Sequence, residues 1–343
     1  MWTAGDIGNP AAILQDLQVA GIDTSVQPLL HVRTFLDHDR PYIAPTSEPR
    51  ATDGVRCPGV YVQPEDGSLL DPALVMRSLV EHFERWAGIL DAGHHLVILE
   101  VHAMSAKAAG QHRKTSVSLN FDATQGFSGQ LLVPAGAFFA AAAEAALHPV
   151  QETVRFPSHE PFSRITLNSF EKRNYRIRVA ESSDLTQLEQ LEQECWGLHL
   201  QQDRAALQKR LDCFAEGQLV LEVGSSHSGW EVAGSLYTQR LSDVQQLEHA
   251  QYSSLPSVHC AGGPLLQLIS IQISQQHTGN VYGSALRDHA LALASLDDSI
   301  ESVVGVTRCR QYAVAVVECP GLSMMRHVVN GDIGVQFHTA RGA

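Results

Sequence analysis

Basic residues are scarce in this 343-residue chain: 24 lysines and arginines stand against 37 aspartates and glutamates, a formal charge of −13. A chain of that sign lacks the basic face needed to displace counterions from a phosphate backbone, which argues against nucleic acid as a partner. Cysteine is sparse too. The six cysteines, Cys57, Cys195, Cys213, Cys260, Cys309 and Cys319, form no CxxC pair. That spacing argues against a zinc ribbon, and six in so long a chain do not make a disulfide scaffold; a reducing cytoplasm fits. Long apolar runs are missing. The nearest, AFFAAAAEAAL at 137–147, contains Glu144 and falls short of the roughly 20 residues needed to cross a bilayer, so no membrane partner is expected. The opening MWTAGDIGNPAAILQ has no basic start and no long apolar core, hence no signal peptide is expected. There is no GxGxxG, no internal repeat and no low-complexity tract. GDIGNP at 5–10 has too little sequence before it to be the Gly-rich turn of a dinucleotide-binding sheet.

What is present is a globular composition, 44% hydrophobic and 18% charged, in a chain long enough for two domains. In the first half, helix and strand signals alternate. Helices are expected over 11–20, 72–90 and 135–147, the second from apolar residues at helical spacing (Leu74, Val75, Leu79, Phe83, Trp86, Ile89, Leu90). Strands are expected over 29–35, 96–101, 150–156 and 162–172. LVILEV at 96–101 reads as a central parallel strand covered on both faces. The Pro-, Gly- and Asp-rich stretch 44–68 reads as loop. This suits an open α/β sheet ending in a hairpin. A second pattern starts at Tyr175, after a linker near 172–174. It runs strand (175–180), helix (184–196, with Asp184 or Ser183 as N-cap), helix (205–214), hairpin (219–223 and 230–239), strand (265–273), helix (284–294), strand (300–306). The expected domains are therefore 1–173 and 174–343.

The last strand changes character halfway. IESVVGVTRCRQY at 300–312 begins β-branched and apolar and ends with Thr307, Arg308, Cys309 and Arg310. A site at the end of a sheet explains the polar tip. So does the ordinary emergence of a strand at the surface.

The element order of the second half resembles the Gcn5-related N-acetyltransferase (GNAT) fold. More narrowly, ECW at 194–196, LQLISIQI at 266–273, ALRD at 285–288, IESVVGVTRCRQY and FHTARGA at 337–343 resemble the GNAT-like domain of loading modules in modular polyketide synthases of the saxitoxin, curacin and gephyronic acid kind. GDIGNP, LLHVRTFLDHDRPYI, SLVEHFERW, ILEVH, FDATQGFSGQ and FSRITLNSFEKR resemble the S-adenosylmethionine-dependent C-methyltransferase domain that precedes it. The resemblance covers nearly the whole chain in one order. It implies the C-terminal half of a Rossmann-like methyltransferase sheet followed by a GNAT-like fold lacking its last strands, a segment truncated at both ends.

The resemblance also implies a chemistry: malonyl- or acyl-CoA decarboxylation, or acyl transfer to an acyl carrier protein, in polyketide chain initiation. Other polyketide synthase domains are possible partners. Thr307 would donate a hydrogen bond to a thioester or enolate oxygen, His338 would donate or move a proton, and Trp196 would line the acyl tunnel. The strand backbone at Ile271 and Ile273 would hold the pantetheine arm. Gly279, Asn280 and Gly283 would cradle the pyrophosphate at a helix N-terminus. Anchored on Gly283, the loop has Thr278 where the family carries Gln or Arg, and Val281 where it carries its first Gly. In the methyltransferase-like half, Asp6 would stand near the adenine of S-adenosylmethionine. His38, His102 and Gln125 would be the ligands of iron or manganese, an oxygen and nitrogen set that suits those metals. A structural role for each histidine taken singly stays open. So do two other readings: an inactive structural remnant, and an ordinary acetyl-CoA-dependent N-acetyltransferase.

Overall fold

The computed structural model describes residues 5–24, 26, 28–63, 65–90, 93–105, 108–110, 129–158, 164–197, 200–225, 228–248, 250, 252–306 and 335–337. The chain forms two compact units, 1–303 and 304–343. The second is described only at Val304–Val306 and Val335–Phe337, so Thr307, His338 and Gln125 lie outside the described residues.

Two five-stranded sheets are present among the described residues. In the first, β1 (Leu30–Thr34) lies parallel to β4 (His95–Val101). β7 (Ile165–Lys172) runs antiparallel to β4 on its other side. β5 (Leu147–Pro149) and β6 (Val154–Phe156) both pair antiparallel with β7. β4 is thus central, but in a mixed sheet: its parallel neighbour is on one side only. It alternates buried and half-buried positions instead of being covered throughout. Helix α3 (Pro72–Ile89) covers this sheet. Its start follows from sequence: Pro72 stands at N1, and the Asp71 carboxylate accepts a bond from the Ala73 N–H at 2.8 Å. Its apolar stripe buries Val75, Met76, Leu79, Val80, Phe83 and Trp86.

The stretch read as loop also contains a short helix, α2 (Asp53–Arg56), and strand β2 (Tyr61–Val62), which pairs with β3 (Leu69–Leu70). Such short pieces carry no periodic signal. α1 (Pro10–Val19) precedes them all. α4 (Ala135–Glu144) stops three residues before Leu147, because Ala146 adopts φ +62° and Leu147 enters β5. α4 is buried over nearly its whole length, and its small side chains let it pack against elements of both sheets. Ala137–Ala142 belong mainly to the first core and Ala143 to the second.

The chain passes from one sheet to the other at Arg173–Asn174. The second sheet has the order β12-β11-β10-β9-β8, formed by β8 (Tyr175–Val179), β9 (Gln218–Ser225), β10 (Gly229–Leu241), β11 (Leu265–Ile273) and β12 (Ser302–Gly305). Alternation splits its residues between two faces. Ile177, Leu219, Leu221, Leu236 and Leu268 pack with α7 (Tyr282–Leu296). Val220, Val232 and Tyr237 pack with α5 (Leu185–Cys195) and α6 (Arg204–Phe214). Asp184 stands at the N-cap of α5, but its side chain makes no cap bond to that helix. It closes a capping box with Glu181 across a preceding single turn, and its carboxylate pairs bidentately with Arg178 at 2.7 and 2.8 Å.

A candidate acyl slot and a buried polar centre

At the C-terminal ends of β1 and β4 the first sheet gathers charged groups out of water. Glu100 interrupts an apolar strand with a buried carboxylate. It accepts from the main-chain N–H of Asp37 at 2.7 Å, His38 at 3.2 Å and Val101 at 2.7 Å, and it meets His38 Nδ1 at 2.6 Å. Asp37 Oδ1 lies 2.9 Å from Arg33 and 3.1 Å from His82 Nε2. The Arg33 guanidinium also lies over Trp86, 4.3 Å from its ring centre. Burial pushes the Asp37 carboxyl up, but Arg33, His82 and Arg40 outweigh it and hold the group below its ordinary range. Arg40 donates to the Asp37 carbonyl at 2.9 Å, so the turn is pinned through backbone and not through the Asp37 carboxylate.

Of the metal candidates, His38 is oriented by Glu100. His102 lies 2.7 Å from Thr166 Oγ1 through Nε2, while its buried Nδ1 has no hydrogen-bond partner. Burial lowers His102 to about 3, aided by Arg164, so the ring is neutral at physiological pH. Among the described residues no group of three His, Cys, Asp or Glu is arranged to hold a metal ion. Asp6 is exposed. Its carboxylate accepts from Gly8 N–H at 2.8 Å and its carbonyl from Asn9 N–H at 3.0 Å, forming the turn into α1.

In the second sheet, β11 leads to a single turn at Gln275–His277 and then into α7. Gly279 takes φ +84° with open space where a Cβ would stand. Asn280 Nδ2 donates to the His277 carbonyl at 3.1 Å. Val281 occupies the N-cap with φ −74° and gives no side-chain cap, so among the described residues no side chain caps the first amides of α7, where Gly283 is the second residue. The left-handed position of this turn is Gly279, two residues before Val281. Ile271 and Ile273 pair with Leu236 and Gly234 of β10 and pack towards α7; the Ile273 carbonyl accepts from Cys195 Sγ at 3.3 Å. Trp196 is half-buried at the end of α5, and its main-chain N–H donates to the Glu192 carbonyl at 3.0 Å.

Beside Trp196 lies a group that motif reading passed over. Glu192, fully buried, accepts from Gln202 N–H at 2.8 Å and from the Gln272 amide, and Gln272 in turn meets Ser235 Oγ at 3.4 Å. Burial raises the Glu192 carboxyl, while the bonds from Gln202 and Gln272 oppose the shift. Its signal was a glutamate on the apolar stripe formed by Leu185, Leu188 and Leu191. Glu100, a carboxylate inside LVILEV, had the equivalent strand signal.

Residues 1–168 match the family model of the AprA MT2-like domain. Among solved structures, the loading GNATL domain of CurA from Lyngbya majuscula is 26% identical, over 50% of this chain and 84% of that one, with a TM-score of 0.44. The GphF GNAT-like decarboxylase in complex with isobutyryl-CoA is 32% identical, over 49% and 85%, with a TM-score of 0.42. Ard1 from Thermoplasma volcanium is 16% identical, over 44% and 84%, with a TM-score of 0.28. No curated protein matches. The chain is thus similar to a methyltransferase-like domain over its first half and to GNAT-like domains over about half of its length. This is the pairing its motifs resemble, that of polyketide synthase loading modules. Among the described residues no helix is long and apolar enough to cross a membrane.

Proposed function

We propose that the GNAT-like half processes an acyl thioester in polyketide starter-unit formation, by decarboxylating malonyl-CoA or transferring an acyl group to an acyl carrier protein. One observation carries this reading: α7 starts without a side-chain cap, directly after a left-handed Gly279 and the end of β11. Free amides and a helix dipole at that place suit a pyrophosphate. Thr307 and His338, named from the resemblance, would act on the thioester carbonyl. Trp196 would line the acyl end.

In the methyltransferase-like half, S-adenosylmethionine supplies a methyl group when bound, and Asp6 is the candidate neighbour of its adenine. A metal fits part of the residue set. A carboxylate that holds one ring nitrogen of a histidine, as Glu100 does for His38, leaves the other nitrogen to ligate. The neutral, unpartnered Nδ1 of His102 offers a second donor, and Gln125 is the proposed third.

The test is mass spectrometry of an acyl carrier protein incubated with malonyl-CoA and the full chain. Acetyl-loaded carrier is expected, and it should disappear with Thr307→Ala or His338→Ala. No loading, together with no thermal shift on adding CoA, would leave the chain an inactive structural relative.

A further inference from the structure

A cavity of about 700 Å³ lies within the first unit, between parts of the two sheets. It meets β11 at Leu266, the first end of that strand, and α7 over Ala290–Leu296, its last turns. The acyl slot uses the other ends of both elements, so the cavity is a separate place. Val55, Met104, Ala137, Leu266, Leu293 and Leu296 make most of its wall apolar. Its size and lining suit a small organic molecule.

The polar groups in the wall are mostly engaged. Arg240 donates to the Gly263 carbonyl at 2.6 Å and to the Ser299 carbonyl at 2.8 Å, and it pairs with Asp297 at 3.4 Å. Asp297 also accepts from Ser299 N–H and Oγ. Asp298 accepts from Ser105 Oγ. Two groups keep capacity. The Glu216 carboxylate accepts no hydrogen bond among the described residues. Arg56 makes a single one, from Nη2 to the Glu216 carbonyl at 3.2 Å. Burial pushes the Glu216 carboxyl up while Arg56 opposes it, so the two side chains feel each other.

We propose that this cavity binds an uncharged, mainly apolar small molecule that ends in a carboxamide or a group with the same adjacent acceptor and donor. The Arg56 guanidinium donates to its carbonyl and the Glu216 carboxylate accepts its N–H. The pair carries no net charge. An anionic or cationic head would therefore satisfy one member and leave the other repelled and desolvated, whereas an amide satisfies both.

Octanamide titrated calorimetrically into the full chain is the probe, with octanoate and octylamine as charged analogues. One saturable site is expected for the amide, with both analogues weaker by about tenfold or more. Excess CoA should not displace it. Gly136 lines the cavity, and a Cβ there meets nothing within 4 Å. Gly136→Phe should abolish binding without lowering the melting temperature. Glu216→Leu should weaken the amide about tenfold and erase its advantage over octanoate. Absence of saturable binding, displacement by CoA, equal affinity for the three probes, or undiminished binding by a folded Gly136→Phe or Glu216→Leu chain each overturns the proposal.

Discussion

The His38 imidazole and the Glu100 carboxylate meet at 2.6 Å, and the same carboxylate accepts from two main-chain N–H groups of the turn that follows β1, Asp37 and His38, and from that of Val101 at the end of β4. Removing it leaves an imidazole and three amides without their acceptor in a buried place. Glu100→Ala should therefore cost about 3–5 kcal/mol in urea unfolding, and Glu100→Gln, which keeps one acceptor oxygen, clearly less. If Glu100→Ala costs under about 1 kcal/mol, the turn does not depend on this carboxylate.

Buried histidines set the onset of acid unfolding. Burial lowers His102 and His148 to about 3 and His82 to about 4, all from 6.5. Each binds its proton more weakly folded than unfolded. The unfolded chain therefore takes up protons first, and stability is lost as pH falls from about 6.5 towards these lowered values. Urea midpoints at pH 7, 6 and 5 should fall steadily, before ordinary carboxylates titrate. His148 Nε2 lies 3.1 Å from the Tyr175 carbonyl, so His148→Gln should keep a donor there and flatten that slope.

Glu144 governs a lower range. It accepts from Arg77 and Arg50, each at 2.8 Å, and Arg50 also reaches Glu181 at the start of the second sheet's half. Burial pushes the carboxyl up, yet Arg77 and Arg50 win and bring it to about 2 from 4.5. Its folded value is depressed, so its contribution is complete above about 4.5 and is lost as pH falls towards 2. The contribution is on the order of 3 kcal/mol. Glu144→Gln should be less stable at pH 6 and show a shallower decline below pH 4.5. Parallel curves for the two proteins would contradict this assignment.

Gly279 should control CoA binding without controlling the fold. A side chain there meets no neighbour, but φ +84° strains any β-branched residue. Gly279→Val should cost about 1–2 kcal/mol and sharply reduce the thermal shift given by CoA. Gly229, at φ +85° in the β9–β10 hairpin, is the control: Gly229→Val should cost similar stability and leave the CoA shift intact. An unchanged shift in Gly279→Val would remove this loop from the proposed site.

The residues made some of this fold legible and hid the rest. α3 and β11 could be read because eighteen residues of helical spacing and nine of strand character stand between clear breakers. α2, β2 and β3 have two to four residues each, too few for any period. The end of α4 was hidden by its own alanines: Ala145 and Ala146 look helical, and only the chain's need to enter β5 turns Ala146 to φ +62°. The candidate sites were visible as motifs. Their supporting acids, Glu100 and Glu192, were not, since a single carboxylate in an apolar pattern shows its purpose only when its partners are brought to it.

β1 pairs only with β4 among the described residues, and it exposes Leu30 at 64% and Val32 at 60%. An open strand edge with apolar side chains beside it can pair with another chain. The isolated protein should therefore self-associate as its concentration rises. Val32→Lys should suppress this with little change in unfolding free energy, because the side chain is already in water and makes no core contact to lose. Sedimentation velocity across a hundredfold concentration range, about the span over which a micromolar equilibrium is visible, checks it. A chain that sediments as one species throughout, or a Val32→Lys chain that associates as strongly as the parent, would show that this edge attracts nothing.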